Sequence, residues 1–178
     1  MAVKKLYQSS LVGGSAHEEK ILRQVTQEVS GMDELCLQTI ADMRDTISYY
    51  PFCRGLSAPQ IGISLAISVI DINHAGIGED LVMINPRIIE TKGKKDKKRE
   101  SCMSLWGKQG EVERRDKVVV EYNDEQFNSV TKEFSGFESR CIQHEIDHLN
   151  GVLYADKLTA GSSLSDAVYF NEYPIKEI

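Results

Sequence analysis

The sequence predicts an α+β fold, with small mixed antiparallel sheets packed around a C-terminal helix and another helix near the N-terminus. Three features carry that prediction: an early apolar stripe at helical spacing, a central stretch of short β-branched runs, and a helical segment late in the chain. In residues 33–49, Cys36, Ile40, Met43 and Ile47 fall on one stripe, Asp33 stands where an N-cap belongs, and Pro51 stops the helix. Residues 65–70 form an apolar run between Gly62 and Asn73 and read as a buried strand. A second strand is expected over 81–89, interrupted at Asn85-Pro86, and a third at Val118-Val119-Val120 with Tyr122. Asn123-Asp124 turns the chain toward a fourth over 129–134. Residues 137–150 then read as a helix, with Gly151 ready to cap it. Neither repeat nor linker interrupts this order, so 1–178 is expected to be one domain around one core.

Composition narrows the class. Apolar residues at 41% and charged residues at 27% are ordinary for a soluble globular protein. A net charge of −6 argues against a DNA-binding role, which needs a basic face. Cys36, Cys53, Cys102 and Cys141 form no CxxC pair, and no apolar run follows Met1-Ala2-Val3-Lys4-Lys5 as a secretory signal would require. Reduced thiols in a cytoplasmic protein are therefore expected. No stretch approaches the roughly 18 apolar residues of a membrane span. The basic run of residues 92–99 reads first as a solvated loop between strands, and alternatively as a contact for ribosomal RNA.

The chemistry concentrates in Gln143-His144-Glu145-Ile146-Asp147-His148-Leu149-Asn150-Gly151. On a helix, His144 and His148 stand one turn apart on the same face, so both imidazoles can grip one metal ion, and Glu145 beside it can take a proton from water. The expected C-terminal helix is thus a metal-binding one. A hydrolytic site needs a third protein ligand and an open position. Tyr154 occupies the place where one class of zinc proteases carries a third His. Glu172 and Asp166 satisfy the spacing of a downstream carboxylate, and the remaining candidates are thiolates. Cys141 shares the histidine face but lies about 7.5 Å of axial rise below the level midway between them, too far for a short thiol with a ~2.3 Å metal bond. Cys102 follows an irregular segment that can bring it to the helix.

Three motifs together resemble the peptide deformylases: Gly55-Leu56-Ser57-Ala58-Pro59-Gln60 with Ile61-Gly62, then Glu100-Ser101-Cys102-Met103-Ser104, then the histidine motif. They stand in that family's order and approximate spacing, and the likeness spans residues 22–156. The resemblance implies a metal-dependent hydrolase that removes the formyl group from formylmethionyl peptides or nascent chains and releases formate. It implies that Cys102, His144 and His148 hold the metal and that Glu145 is the general acid/base. The Gln60 side chain and the Met103 backbone N–H would bind the substrate oxyanion, with Gly55 in the substrate cleft. The implied metal is Fe2+, although a Cys-His-His site also suits Zn2+, Ni2+ or Co2+. Other readings are a generic zinc peptidase using Glu172 or Asp166, and a non-catalytic metal site that binds formylated termini.

Several residues depart from the family pattern. Cys53 stands at a usual Gly, Arg54 at a small apolar position, Ser57 at an Ala, Ser101 at a Gly and Trp106 at a Pro. All bear on the shape of the cleft and leave the implied ligands in place. Residues 161–178 lack the helical, basic character of the tail with which longer members dock on the ribosome, so docking by that route is not expected. The resemblance also pairs Arg114 with Asp147. Finally, Cys141 and Phe137 precede His144 by three and seven residues on one helix face. They suit either a wall of a slot for the substrate's methionine or plain core.

Overall fold

In the computed structural model, which describes residues 2–72, 80–172 and 175, the first helix starts at a reciprocal cap. The Ser15 side chain accepts from the Glu18 N–H and the Glu18 carboxylate accepts from the Ser15 N–H, launching α1 (Ala16–Arg23). The second helix, α2 (Glu34–Tyr49), begins where Asp33 Oδ1 accepts from the Cys36 N–H at 2.8 Å. Its expected stripe of Cys36, Ile40, Met43 and Ile47 is buried. Chain continues into the short β1 (Gly55–Ser57) and β2 (Ile67–Ile70), then the long β3 (Leu81–Cys102) and β4 (Leu105–Asn123). After β5 (Ser129–Ser135) come α3 (Gly136–Leu149) and the two-residue β6 (Ser165–Asp166).

The strands join in a single antiparallel ladder, β1-β2-β3-β4-β5, with β6 alongside β4, so β1 lies at an edge. β2 shows how the sheet serves two cores. Ile67 and Val69 belong to the cluster with the α2 stripe, whereas Ile70 joins Met83, Val118, Val120 and the α3 residues Ile142 and Ile146. Period-two alternation sends neighbours to opposite faces. Burying one such Ile contributes about 1.5–3 kcal/mol.

Two strand expectations need correction. Asn85-Pro86 interrupts the pairing as expected, through a register shift between Ile84 and Arg87, but the strand does not stop at Ile89 and β3 runs on to Cys102. Asn85 takes φ 52°, which asparagine tolerates, and its side chain bonds both the N–H and C=O of Val29 at 2.8 Å. The basic run 92–99 is strand rather than loop. Lys95 pairs with Glu113 on β4 at 2.8 Å and Lys92 with Glu133 on β5 at 3.3 Å, so acids on those strands offset the like charges. The boundary Asn73 lies outside the described residues.

Candidate metal centre and cleft

Cys102 is the last residue of β3, and a tight turn at Met103 and Ser104 leads straight into β4. That hairpin tip holds the thiol against α3. The helix is buried on most sides and ends at Gly151, where φ is 71° and an added Cβ would lie 2.2 Å from the Arg23 carbonyl oxygen. Only glycine fits there.

Among the described residues, one ligand atom each from Cys102, His144 and His148 lie within 4.8 Å of one another. His148 Nε2 is 3.1 Å from Cys102 Sγ, and the two imidazole centroids are 5.1 Å apart. His144 Nδ1 lies 3.0 Å from Glu100 Oε2, which fixes the ring and leaves Nε2 for a ligand. Two nitrogens and a sulfur converge with no fourth protein donor among the described residues, a set that fits a divalent metal with an open position. Cys141 is not in this cluster; burial pushes its thiol up to about 12. Asp166 is exposed and paired with Lys108, and Glu172 is exposed, so neither joins the three donors. Tyr154, where a third His was conceivable, is buried with its ring stacked on His144 at 6.0 Å.

Glu145 follows His144 and points into the same cavity. Burial raises its carboxyl above the ordinary range, a shift opposed by His144 and by a hydrogen bond from Ser57. The Ser57 hydroxyl lies 2.7 Å from Glu145 Oε2, 3.0 Å from the Glu145 carbonyl oxygen and 2.9 Å from Ser68 Oγ. Gly55 makes room for this carboxylate, since a Cβ there would sit 2.9 Å from Glu145 Oε1. Gln60 is anchored through Oε1, which accepts from the Ser57 N–H at 2.8 Å. Its Nε2 is directed at Cys102 Sγ, 3.4 Å away, and at Ser104 Oγ, 3.3 Å away.

Behind the histidines lies a buried charge network whose centre the sequence reading left without a role. Glu100 Oε1 accepts from Arg114 and Arg140 at 2.6 Å each, while Oε2 accepts from Arg114 at 2.8 Å and meets His144. Burial would raise the Glu100 carboxyl, but hydrogen bonds from His144 and Arg114 outweigh it and hold the group well below the usual carboxylate range. Arg114 also reaches Asp147 at 2.8 Å, the pairing expected from the resemblance. The available signal was Glu100 itself, two positions before Cys102 on one strand and so on the same face.

Gln60, Glu100, Cys102, Arg140, His144 and Glu145 line a cavity of ≈ 330 Å³. Gln60, Cys102, Met103 and Glu145 are buried at its floor, whereas Phe137 is 53% exposed and Tyr169 40% exposed. Gly55 and Cys141 also face it. The tail contributes Tyr169 and Phe170, which the sequence reading did not anticipate; Phe170 packs on Phe52 and Trp106 with centroids 4.8 and 4.7 Å away. Among the described residues no helix is long and apolar enough to cross a membrane.

Known proteins share this arrangement. The family model described as polypeptide deformylase matches residues 15–163. A peptide deformylase from Chlorobaculum parvum is 37% identical over 147 residues, covering 81% of this chain and 78% of the relative. One from Finegoldia magna is 40% identical over 142 residues, covering 79% and 85%. The crystal structure of the Legionella pneumophila peptide deformylase superposes with a TM-score of 0.79 at 35% identity, covering 89% of this chain and 87% of that one. The Synechococcus elongatus enzyme, solved in complex with actinonin, gives 0.77 at 35% identity, with 97% and 84% covered. With a shared fold, a matching length and a three-donor metal centre beside a buried glutamate, this chain belongs to the polypeptide deformylase family.

Proposed function

We propose that the protein removes the N-formyl group from formylmethionyl termini of newly made polypeptides, releasing formate, and that it works in the cytoplasm. The observation that supports this most is the clustering of Cys102, His144 and His148, with Cys102 and His144 lining the same cavity as Glu145 and Gln60. A bound divalent metal supplies Lewis acidity, acidifying water and polarising the formyl oxygen. Glu145, raised by burial, takes the proton from the attacking water and delivers it to the leaving amine. The Gln60 amide and the Met103 N–H donate to the oxygen of the formyl group as negative charge develops there. Gly55, on the edge strand β1, lets the substrate backbone approach Glu145 closely. Phe137 and Cys141 wall the slot for the methionine side chain, which an unbranched thioether fills readily.

The proposed metal is Fe2+, with Zn2+, Ni2+ and Co2+ accommodated by the same donors. Activity of the Fe2+ form should decay faster in air than that of the Ni2+ form, through oxidation of the iron or of Cys102. Equal aerobic lifetimes would argue against iron as the weak point. The function itself is tested by loading the protein anaerobically with Fe2+ or Ni2+ and measuring formate from formyl-Met-Ala-Ser. No formate from either form would overturn the assignment.

A further inference from the structure

The chain has eight arginines, and two of them behave differently from the rest. Arg23, Arg44, Arg87, Arg114 and Arg140 pair with carboxylates, and Arg115 donates to the Gly93 carbonyl. Among the described residues, Arg54 and Arg99 make neither an ion pair nor a side-chain hydrogen bond. Both line the cavity that holds Glu145 and the metal donors Cys102 and His144. They reach it from separate segments, Arg54 from the residue before β1 and Arg99 from β3. Arg54 is half-buried and Arg99 exposed, which sets them above the buried floor.

Nothing in the cavity neutralises them. Glu100 is already held by Arg114, Arg140 and His144, and Glu145 is buried against Ser57. A formylated peptide brings no positive N-terminus, and its chain beyond the methionine must leave the floor past this rim. Guanidinium groups bind carboxylates through charge-assisted, often paired hydrogen bonds. We propose that Arg54 and Arg99 form an anion-recognising rim that favours formylmethionyl peptides with an Asp or Glu side chain at the second or third residue. This selectivity rests on the deformylase reading of the floor and adds a substrate preference to it.

The test compares kcat/KM for Ni2+-loaded enzyme on amidated formyl-Met-Ala-Ser, formyl-Met-Ala-Asp and formyl-Met-Ala-Lys, and on the series with the charge at the second residue. At low ionic strength the acidic peptide in one of the series should exceed its lysine counterpart by about two- to fivefold, the range of exposed ion pairs. The ratio should fall toward one at about 0.5 M salt, where the Debye length is only a few ångströms. The Arg54→Gln/Arg99→Gln double variant should bring the ratio near one, and Arg54→Glu should shift preference toward lysine. Equal rates on acidic and basic peptides in both series, with the serine peptide cleaved, would overturn the rim. An acidic preference unchanged in the double variant would overturn its assignment to these residues. Failure to cleave any of the peptides would instead overturn the deformylase reading and this preference with it.

Discussion

The floor and the rim of the cavity are built on opposite principles. On the floor, three of the groups have a buried partner: Glu100 on His144, Ser57 on Glu145, and the Ser104 N–H at 3.3 Å on Cys102 Sγ, whereas His148 Nδ1 is buried without one. A buried polar group left unpaired costs about 1–3 kcal/mol, so losing any of these three partners should disturb the floor's geometry. At the rim, Phe137 and Tyr169 are half exposed, and Arg54 and Arg99 are unpaired among the described residues. Arg54 is partly and Arg99 largely open to solvent, so their replacement is expected to leave the centre intact. On the proposed reading, the difference places the chemistry in a few short motifs and the selectivity on side chains from remote segments.

The comparison breaks most completely if the floor does not need its thiolate donor. Cys102→Ala should strip most of the metal, whereas Cys141→Ala should keep wild-type stoichiometry by elemental analysis. A loss confined to Cys141→Ala would reverse the ligand assignment. Next in size is Glu100→Ala, which leaves Arg114 and Arg140 buried without their shared carboxylate. Removing one partner of such a network typically costs about 3–5 kcal/mol. Metal affinity should also fall by about 10–100-fold as His144 loses its orienting contact. Urea unfolding and a competitive chelator read the two effects, and no change in either would show that the network is dispensable.

At the boundary between floor and rim, Cys141→Trp should suppress formyl-Met hydrolysis severely while sparing metal content, and should impair formyl-Ala substrates less. Equal losses on both would leave the methionine wall without support. The smallest effect lies far from the cavity. Burial raises the Glu18 carboxyl, but hydrogen bonds from Ser15 and Lys5 outweigh it and hold the group at about 2 instead of 4.5. Its folded value is depressed, so its stabilisation is present above pH 4.5 and lost as pH falls toward 2. Glu18→Gln should therefore lower stability near pH 7 by about 1 kcal/mol and flatten the acid limb of the melting profile. An unaltered acid limb would count against the capping account.

Legibility in the sequence followed the range of the interactions. The α2 stripe and its Asp33 cap, and the α3 motif, depend on neighbours within four residues, and both helices lie where periodicity put them. The α1 capping box was equally local, yet Ser15 and Glu18 precede too short a periodic segment to stand out. β1, with three residues, is defined only by its pairing with β2. The continuity of β3 through residues 92–99 depends on pairing with β4 residues such as Glu113 and Arg115. Charge density alone could not reveal those partners. In the site, the histidine motif demanded a third donor but left Cys102, Glu172 and Asp166 open, and only the three-motif resemblance pointed to the gathering of Cys102 with His144 and His148. The Glu100 network and the Tyr169–Phe170 wall were not legible, since they join β3, β4, α3 and the tail across long sequence separations.

The central claim is that the floor separates two tasks, metal binding by Cys102, His144 and His148, and proton transfer by Glu145. Glu145→Gln tests it most directly, with metal content and formate release measured on the same preparation. The expected result is full metal stoichiometry with turnover reduced by at least about 10²–10⁴-fold, the usual worth of a general acid/base. Near-normal formate release from the metal-loaded variant would contradict the account.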